Sequence, residues 1–111
     1  MGSILDDVKK VLGLDTEYTV FDKDLIIHIN TVFRILNQIG VGPHDGFTIN
    51  DNSTTWTEYV NDDKLEAIKT YIYLRVRLLF DPPTNSFLIT AMESQMREIE
   101  WRLNLRGEAD I

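Results

Sequence analysis

Residues 71–87, YIYLRVRLLFDPPTNSF, join a nearly unbroken apolar run to an abrupt stop at Asp81-Pro82-Pro83. A proline has no amide hydrogen with which to continue a helix, and it disfavours the α conformation in the residue before it. The sequence therefore predicts a long helix up to about Phe80, a stiff corner, and a last helix that is capped within residues 84–86 and runs to about Leu105. These two long helices should form an α-hairpin.

Arg75 and Arg77 interrupt the apolar run and lie about 200° apart around a helix. A single core could not shelter both, so at least one must point outward or towards a neighbour. Two interpretations remain open. Each arginine lays its aliphatic stem over the core and reaches water, or the two meet acidic groups of an adjacent copy, such as those within residues 22–24 or 62–63.

The part of the chain before this hairpin carries the signals of two further helices. Ser3 can cap a helix over about residues 4–12, with Gly13 just past its end. A second helix starts near Asp22, shows apolar residues at three- and four-residue spacing, and ends at Gly40. Residues 61–63 can cap the first of the two long helices.

Residues 41–57 are rich in Gly, Asn, Asp and Thr and contain one short β-prone piece, residues 47–49. A loop this long within a compact domain is usually functional. We therefore predict an all-α fold with four main helices, one short, one medium and two long, and a long loop or loose β-hairpin between the second and third. Residues 1–111 should form one domain, in which Met1 and Gly2 are a cloning remnant or disordered, residues 3–105 are folded, and residues 106–111 are a disordered tail.

The charge balance limits the partners that the chain can bind. Its 111 residues include 18 acidic and 11 basic ones, so the formal net charge is −7 and the chain repels phosphate backbones. Sequence-specific binding to duplex DNA is not expected, although an acidic surface suits a passage through which DNA slides. Cysteine is missing, no apolar run approaches the ~20 residues that cross a bilayer, and the start has no hydrophobic signal core.

No residue pattern predicts a catalytic, cofactor-binding or metal-binding site. Asp24 precedes His28 by one turn, which is a common chance pair, and His44 lies apart in the loop. The Glu-x-x-His pattern of di-iron bundles is missing. The serines lie in no nucleophile motif, and the glycines fit no phosphate-binding loop. We therefore expect neither enzyme activity nor a cofactor.

A second line of residues, two of them aromatic, runs along one side of the last helix. Phe87, Ser94 and Trp101 recur at seven-residue spacing, well away from the apolar face of that helix. Trp101 is either a local core plug or an anchor that docks into another protein, since tryptophan in a pocket is a common interface hot spot.

Four stretches, SILDDVKKVLGLD, DLIIHINTVFRILNQIGVGP, IKTYIYLRVRLLFDPPTNSF and MREIEWRLN, resemble the head–tail connector proteins of long-tailed bacteriophages that infect Gram-positive bacteria, also called head-completion or adaptor proteins. The resemblance covers about residues 3–105 and is most specific in LRVRLLFDPP. It implies small α-helical subunits that form a ring, usually of twelve, beneath the portal at the vertex where DNA enters and leaves the capsid. It implies no catalysis.

The resemblance also implies partners and contact residues. The partners are the portal protein, the tail or stopper (head-closure) protein, other copies of the chain, and double-stranded DNA that passes without sequence-specific binding, with no membrane involved. The implied portal contact comprises Glu98, Trp101, Arg102 and Leu105. The implied contact between ring subunits comprises Arg75, Arg77 and Phe80. The implied loop near the channel or stopper comprises Asp45, Asn50, Asp51 and Asn52.

The sequence therefore predicts a structural protein of the virion, located at the head–tail interface after synthesis in the bacterial cytoplasm. Two alternatives from other classes stay open. A small helical regulatory or DNA-associated protein of a prophage would bind random duplex DNA at low salt, with affinity falling steeply as salt rises. An unrecognised hydrolase or metal enzyme would carry a metal or turn over a substrate.

Overall fold

The computed structural model describes residues 2–60 and 63–109, with side chains as far as Asn104. Within these ranges the chain forms five α-helices and no strand. The helices are α1 (Ile4–Val11), α2 (Asp22–Gln38), α3 (Trp56–Tyr59), α4 (Leu65–Phe80) and α5 (Ser86–Ala109). The all-α prediction is confirmed, and the described part of the chain holds one short helix more than the four predicted.

Local capping signals set the ends of the first two helices, as the sequence predicted. The side chain of Ser3 accepts a hydrogen bond from the Asp6 amide at 3.2 Å and so begins α1. After α2, Gly40 adopts a φ of +87°, which lets the Val41 amide donate back to the Leu36 carbonyl at 2.9 Å. Glycine reaches this left-handed conformation without steric cost, so it ends the helix.

The cap of α5 was predicted correctly, whereas the start of α4 and the end of α5 differ from the prediction. Asn85, within the predicted range 84–86, caps α5, because its side-chain oxygen accepts from the amides of Phe87 and Leu88 at 2.8 and 3.2 Å. This helix continues to Ala109, beyond the predicted end near Leu105. Of the predicted cap of α4, residues 61 and 62 lie outside the described residues, and the helix has Lys64 at its N-cap position.

The segment between α2 and α4 contains no β-hairpin within its described residues. It forms a long loop, then the four-residue helix α3, and its one β-bridge joins Thr55 to Ser3 rather than to the loop itself. The reason is visible at Ile49, whose amide and carbonyl bond to the side chain of Asn30 at 2.8 and 3.0 Å. A side chain of α2 thus takes the place that a second strand would occupy.

The core lies between α1, α2, the loop and α4, with α5 on a further side of α4. Phe21 at the start of α2 packs edge-on against Phe80 at the end of α4, with ring centroids 5.2 Å apart, so these helices are antiparallel. Since α4 contacts α1, α2 and α5, much of its almost uniformly apolar second half is covered inside one subunit, although Leu79 stays 44% exposed. The largest fully buried side chains are Trp56, Tyr71, Lys9 and Phe33.

Within this core, Trp56 connects the end of the loop to both α1 and α4. Its indole nitrogen donates to the carboxylate of Asp7 on α1 at 2.7 Å, and its ring meets Tyr73 of α4 edge-on at 6.1 Å. Lys69 lies 5.3 Å from the ring centroid, within the range of a cation–π contact. The start of α1 and the end of the loop are therefore fixed to α4 by one residue.

Candidate partner-binding surfaces

Helix α5 has two opposite faces with different chemistry. Its inner face, which packs on α4, carries the buried residues Met92, Met96, Ile99 and Leu103. On the outer face, Phe87 is 86% exposed and Trp101 is 66% exposed. Fourteen positions separate them, which is about 21 Å along a helix. The outer face of α5 therefore presents two large rings to solvent, and the interpretation of Trp101 as a core plug is wrong.

The predicted portal residues that the structure describes share this outer face. Glu98 and Arg102 are exposed and form an ion pair at 2.5 Å, one turn from Trp101. Such a pair at i,i+4 on an exposed surface contributes only a few tenths of a kcal/mol, so it leaves both side chains free to meet a partner. The side chain of Leu105 lies outside the described residues.

Arg75 has partners within its own chain. Its Nε donates to the hydroxyl of Tyr71 at 3.0 Å and its Nη2 lies 3.2 Å from Glu100 Oε2 on α5. Tyr71 also donates to the same carboxylate in a short hydrogen bond. Burial of Tyr71 and this bond raise the pKa of its hydroxyl to about 12. Neither interpretation of Arg75 from the sequence foresaw this cluster, which joins α4 to α5.

The three predicted ring-contact residues do not form one surface in the subunit. Arg75 faces α5, whereas Phe80 lies on the α2 side of α4, where its ring meets Phe21 and lies 6.5 Å from that of His28. Arg77 donates from Nε to the Asp81 carbonyl at 2.9 Å and so supports the proline corner. Whether any of them contacts a neighbouring subunit stays a prediction.

The four predicted loop residues, Asp45, Asn50, Asp51 and Asn52, are all exposed. Asp51 Oδ1 accepts from the hydroxyl and the amide of Ser53 at 2.6 and 2.8 Å. Both hydrogen bonds lower the pKa of the Asp51 carboxyl, and the one from the hydroxyl has the larger effect. The loop thus carries a charge that is held in a defined place.

One buried side chain, Ile49, and one partly buried side chain, Phe47, anchor this loop to the core. Ile49 is 1% exposed and bonds to Asn30 through its backbone. The ring of Phe47 packs against Phe33 at 5.3 Å and against Tyr59 at 4.9 Å between centroids. Between this segment and α2 lies an open groove of about 390 Å³, lined by Asn30, Phe33, Arg34, Asn37 and residues 45–48. The loop is therefore long but firmly seated.

A second depression, of about 260 Å³, lies beside Gly42 and Tyr59. Gly42 has a φ of +89°, and a Cβ there would come within 2.6 Å of the Tyr59 ring, so no larger residue fits. The Tyr59 hydroxyl is buried and has no hydrogen-bond partner among the described residues. Burial also raises the pKa of this hydroxyl, which keeps it protonated.

A buried ion pair near the start of α2 was not predicted from the sequence. Lys9 is 1% exposed, and its Nζ lies 2.8 Å from Asp22 Oδ1 and donates to the Thr16 carbonyl at 2.9 Å. A signal was present, because Lys9 falls four residues after Leu5 and one after Val8, on the apolar stripe of α1. A lysine on such a stripe must find an acidic or carbonyl partner.

Within the described part of the chain, no cluster of three or more His, Asp or Glu side chains could hold a metal ion. None of the helices described there is long and apolar enough to cross a bilayer.

These features define a small all-α protein whose exposed surfaces, an aromatic helix face and an anchored acidic loop, are suited to contact with other macromolecules. The chain belongs to the phage connector protein family, whose model matches residues 4–110, nearly the whole chain. The predicted family is thus confirmed, and membership gives the chain a structural role in a phage. Comparisons with curated proteins and with solved structures gave no match.

Proposed function

We propose that this chain is a non-enzymatic virion protein that forms a ring beneath the portal, extends the DNA channel and carries the tail or stopper protein. The family supports a structural role among head and tail components. The ring, its copy number of about twelve and the identity of each partner belong to the proposal, which extends the sequence resemblance. The net charge of −7 supports a channel wall along which DNA moves without adhering.

The observation that best supports a portal contact is the outer face of α5. A tryptophan that is 66% exposed adds little to the stability of its own subunit. Aromatic side chains of this kind supply most of the binding free energy when a partner covers them. We therefore propose that Glu98, Trp101, Arg102 and Leu105 contact the portal, with Trp101 as the anchor.

Mixing the purified chain with the portal protein of the same phage tests this contact. We expect a complex that co-migrates on a sizing column, and Trp101→Ala should weaken it by about 30-fold, the equivalent of about 2 kcal/mol for a hot spot. Ile27→Ala is the matched control, because Ile27 is 61% exposed on α2. Equal binding by both variants would show that the outer face of α5 is not the dock.

Truncation after Ile99 is a poor version of this experiment. It removes Glu100, the partner of Arg75, together with Leu103, which is 3% exposed in the core. Loss of binding by that truncated chain would therefore mix damage to the fold with damage to the surface.

The proposed contact between ring subunits at Arg75, Arg77 and Phe80 must be tested with variants that keep the contacts within each subunit. Charge reversal at Arg75 would leave Glu100 facing a like charge and destabilise the subunit itself. Arg77→Glu is the cleaner variant, because Arg77 bonds to a backbone carbonyl and to no carboxylate among the described residues. We expect a folded subunit whose rings on the portal are incomplete by native mass spectrometry. Full rings would remove Arg77 from the subunit contact.

A further inference from the structure

We propose that one helix of the portal protein covers the outer face of α5 from Phe87 to Trp101, and that this helix carries acidic side chains along the edge that meets Arg97. The inference rests on the proposed function and deepens it, because it states what kind of portal element meets Trp101 and how far that element extends.

The outer face of α5 has the residue spacing of a contact between two helices. The side chains along its centre recur alternately four and three positions apart, and all are exposed: Phe87, Ala91, Ser94, Glu98 and Trp101. This is the a and d spacing of a heptad repeat. The side chains by which α5 packs on α4 lie on the opposite side of the helix, so the core of the subunit does not account for this spacing.

The shape of the outer face suits a single helix that lies along it. Phe87 and Trp101 are about 21 Å apart, and the small side chains of Ala91 and Ser94 lie between them. Small side chains at a helix contact let the two helix axes approach closely. A heptad line drifts by about 20° per seven residues around a straight helix, so the partner should cross α5 at about 20°. A helix of about 15 residues spans the whole face.

Two arginines flank the outer face, one on each side, and they define the charge of the partner. Arg102 already pairs with Glu98 at 2.5 Å, so a partner that covers this pair buries no net charge. Arg97 is exposed and has no ion pair or hydrogen bond among the described residues. Taking a lone guanidinium out of water is costly unless a carboxylate meets it. The covering helix should therefore carry Asp or Glu beside Arg97.

A second copy of α5 does not meet this requirement. Antiparallel pairing about Ser94 would place Phe87 of each copy beside Trp101 of the other, but Arg97 would then lie level with the uncharged Ala91. Parallel pairing in register would place Arg97 beside Arg97, and like charges repel. The portal protein is the partner already proposed for Trp101, so one of its helices would continue the same contact towards Phe87.

Thiol labelling tests whether one partner covers the face between the two rings. The chain has no cysteine, so a single introduced thiol is labelled unambiguously. Ser94→Cys places it midway between Phe87 and Trp101, and Glu93→Cys, about 100° away around the helix, is the matched control. Maleimide addition is followed by the mass of the chain, free and in complex with the purified portal protein of the same phage.

In the portal complex we expect labelling of Ser94→Cys to slow at least about tenfold and labelling of Glu93→Cys to change by less than about twofold. A Ser94→Cys thiol that stays as reactive as in the free chain would overturn the proposal. Equal protection of both positions would also overturn it, because a single helix on the outer face does not reach the far side of Glu93.

Affinity for the portal protein tests the far end of the contact. Phe87→Ala should weaken binding about tenfold, although Phe87 is about 21 Å from Trp101. Leu88→Ala is the matched control, because Leu88 is 47% exposed and lies about 100° around the helix from Phe87. Its replacement should change affinity by less than about twofold, and equal losses for the two variants would refute a contact confined to the outer face.

The charge of the partner has its own pair of variants. Arg97→Gln removes the positive charge and Arg97→Glu reverses it at similar size. Against an acidic edge, Arg97→Glu should bind the portal protein about tenfold more weakly than Arg97→Gln, because like charges then face each other. Equal affinities would refute an acidic partner.

The proposed function and the helix contact fail separately. If Trp101→Ala weakens portal binding and Phe87→Ala does not, the portal contact stands and the long helix contact is wrong. If no portal complex forms, both are wrong. If the free chain is a dimer that Phe87→Ala dissociates, a second copy covers the outer face and the helix contact with the portal is wrong.

Discussion

Replacing Lys9 by methionine tests the buried ion pair that fixes α1 to the start of α2. Methionine keeps most of the aliphatic stem, which fills the same space, but it removes the ammonium group that lies 2.8 Å from Asp22. The carboxylate then stays at its partly buried position without its cation. The Thr16 carbonyl loses its donor as well.

The magnitude follows from the burial of the group that is left behind. Removing one partner of a fully buried pair costs about 3–5 kcal/mol. The Asp22 side chain is 26% exposed and can regain some hydration, so the low end applies, about 3 kcal/mol. With an unfolding entropy of about 2.1 cal/mol/K per residue, 111 residues give a shift of roughly 4 °C per kcal/mol, and Tm should fall by about 12 °C.

Urea unfolding followed by circular dichroism measures this loss, with Lys10→Met as the matched control. Lys10 is the next residue and is exposed, so its replacement should change the free energy of unfolding by less than about 0.5 kcal/mol. The double variant Lys9→Met with Asp22→Asn should cost less than the two single losses added together, because both remove one interaction. If Lys9→Met proves as stable as Lys10→Met, the ion pair does not hold α1 in place.

Two further predictions concern the aromatic residues. Trp56→Phe removes the donor to Asp7 and should lower the free energy of unfolding, measured in urea, by about 2 kcal/mol. The same change at the exposed Trp101 should lower it by less than about 0.5 kcal/mol. Equal losses would contradict the role of the indole hydrogen bond. The folded state raises the pKa of Tyr71 from 10.0 to about 12, so ionisation is easier in the unfolded chain and stability should fall as pH rises from about 10 to 12. Tyr71→Phe should flatten part of that fall in urea midpoints measured across this range, and an unchanged slope would mean that the hydroxyl titrates alike in both states.

Features that depend on a few neighbouring residues could be predicted from the sequence. Ser3 and Gly40 act within one turn of their own helices, and Pro82 acts on the residue before it, so capping and backbone geometry alone indicate where the chain bends. The outer face of α5 was also readable, because seven-residue spacing places Phe87 and Trp101 on one side of any helix.

Contacts that depend on the packing of distant segments were not readable. Asp7 and Trp56 are 49 residues apart, and Arg75 and Glu100 are 25 apart. Their pairing depends on how α1, the loop and α5 pack against α4. Helix α3 was missed because four residues are too few to show a helical period.

The seam between α4 and α5 has a mechanical consequence. Among the side chains of α5 that the structure describes, four are buried in this seam, and two of them are Met92 and Met96. Thioether side chains are flexible and repack around altered shapes with little loss of contact. The tilt of α5 should therefore be the least costly adjustment open to the folded subunit, while α1, α2 and α4 stay rigid. Slower amide exchange in α2 than in α5 would reveal this difference in rigidity. In the proposed ring, a helix α5 that tilts easily would let each subunit absorb small differences in fit.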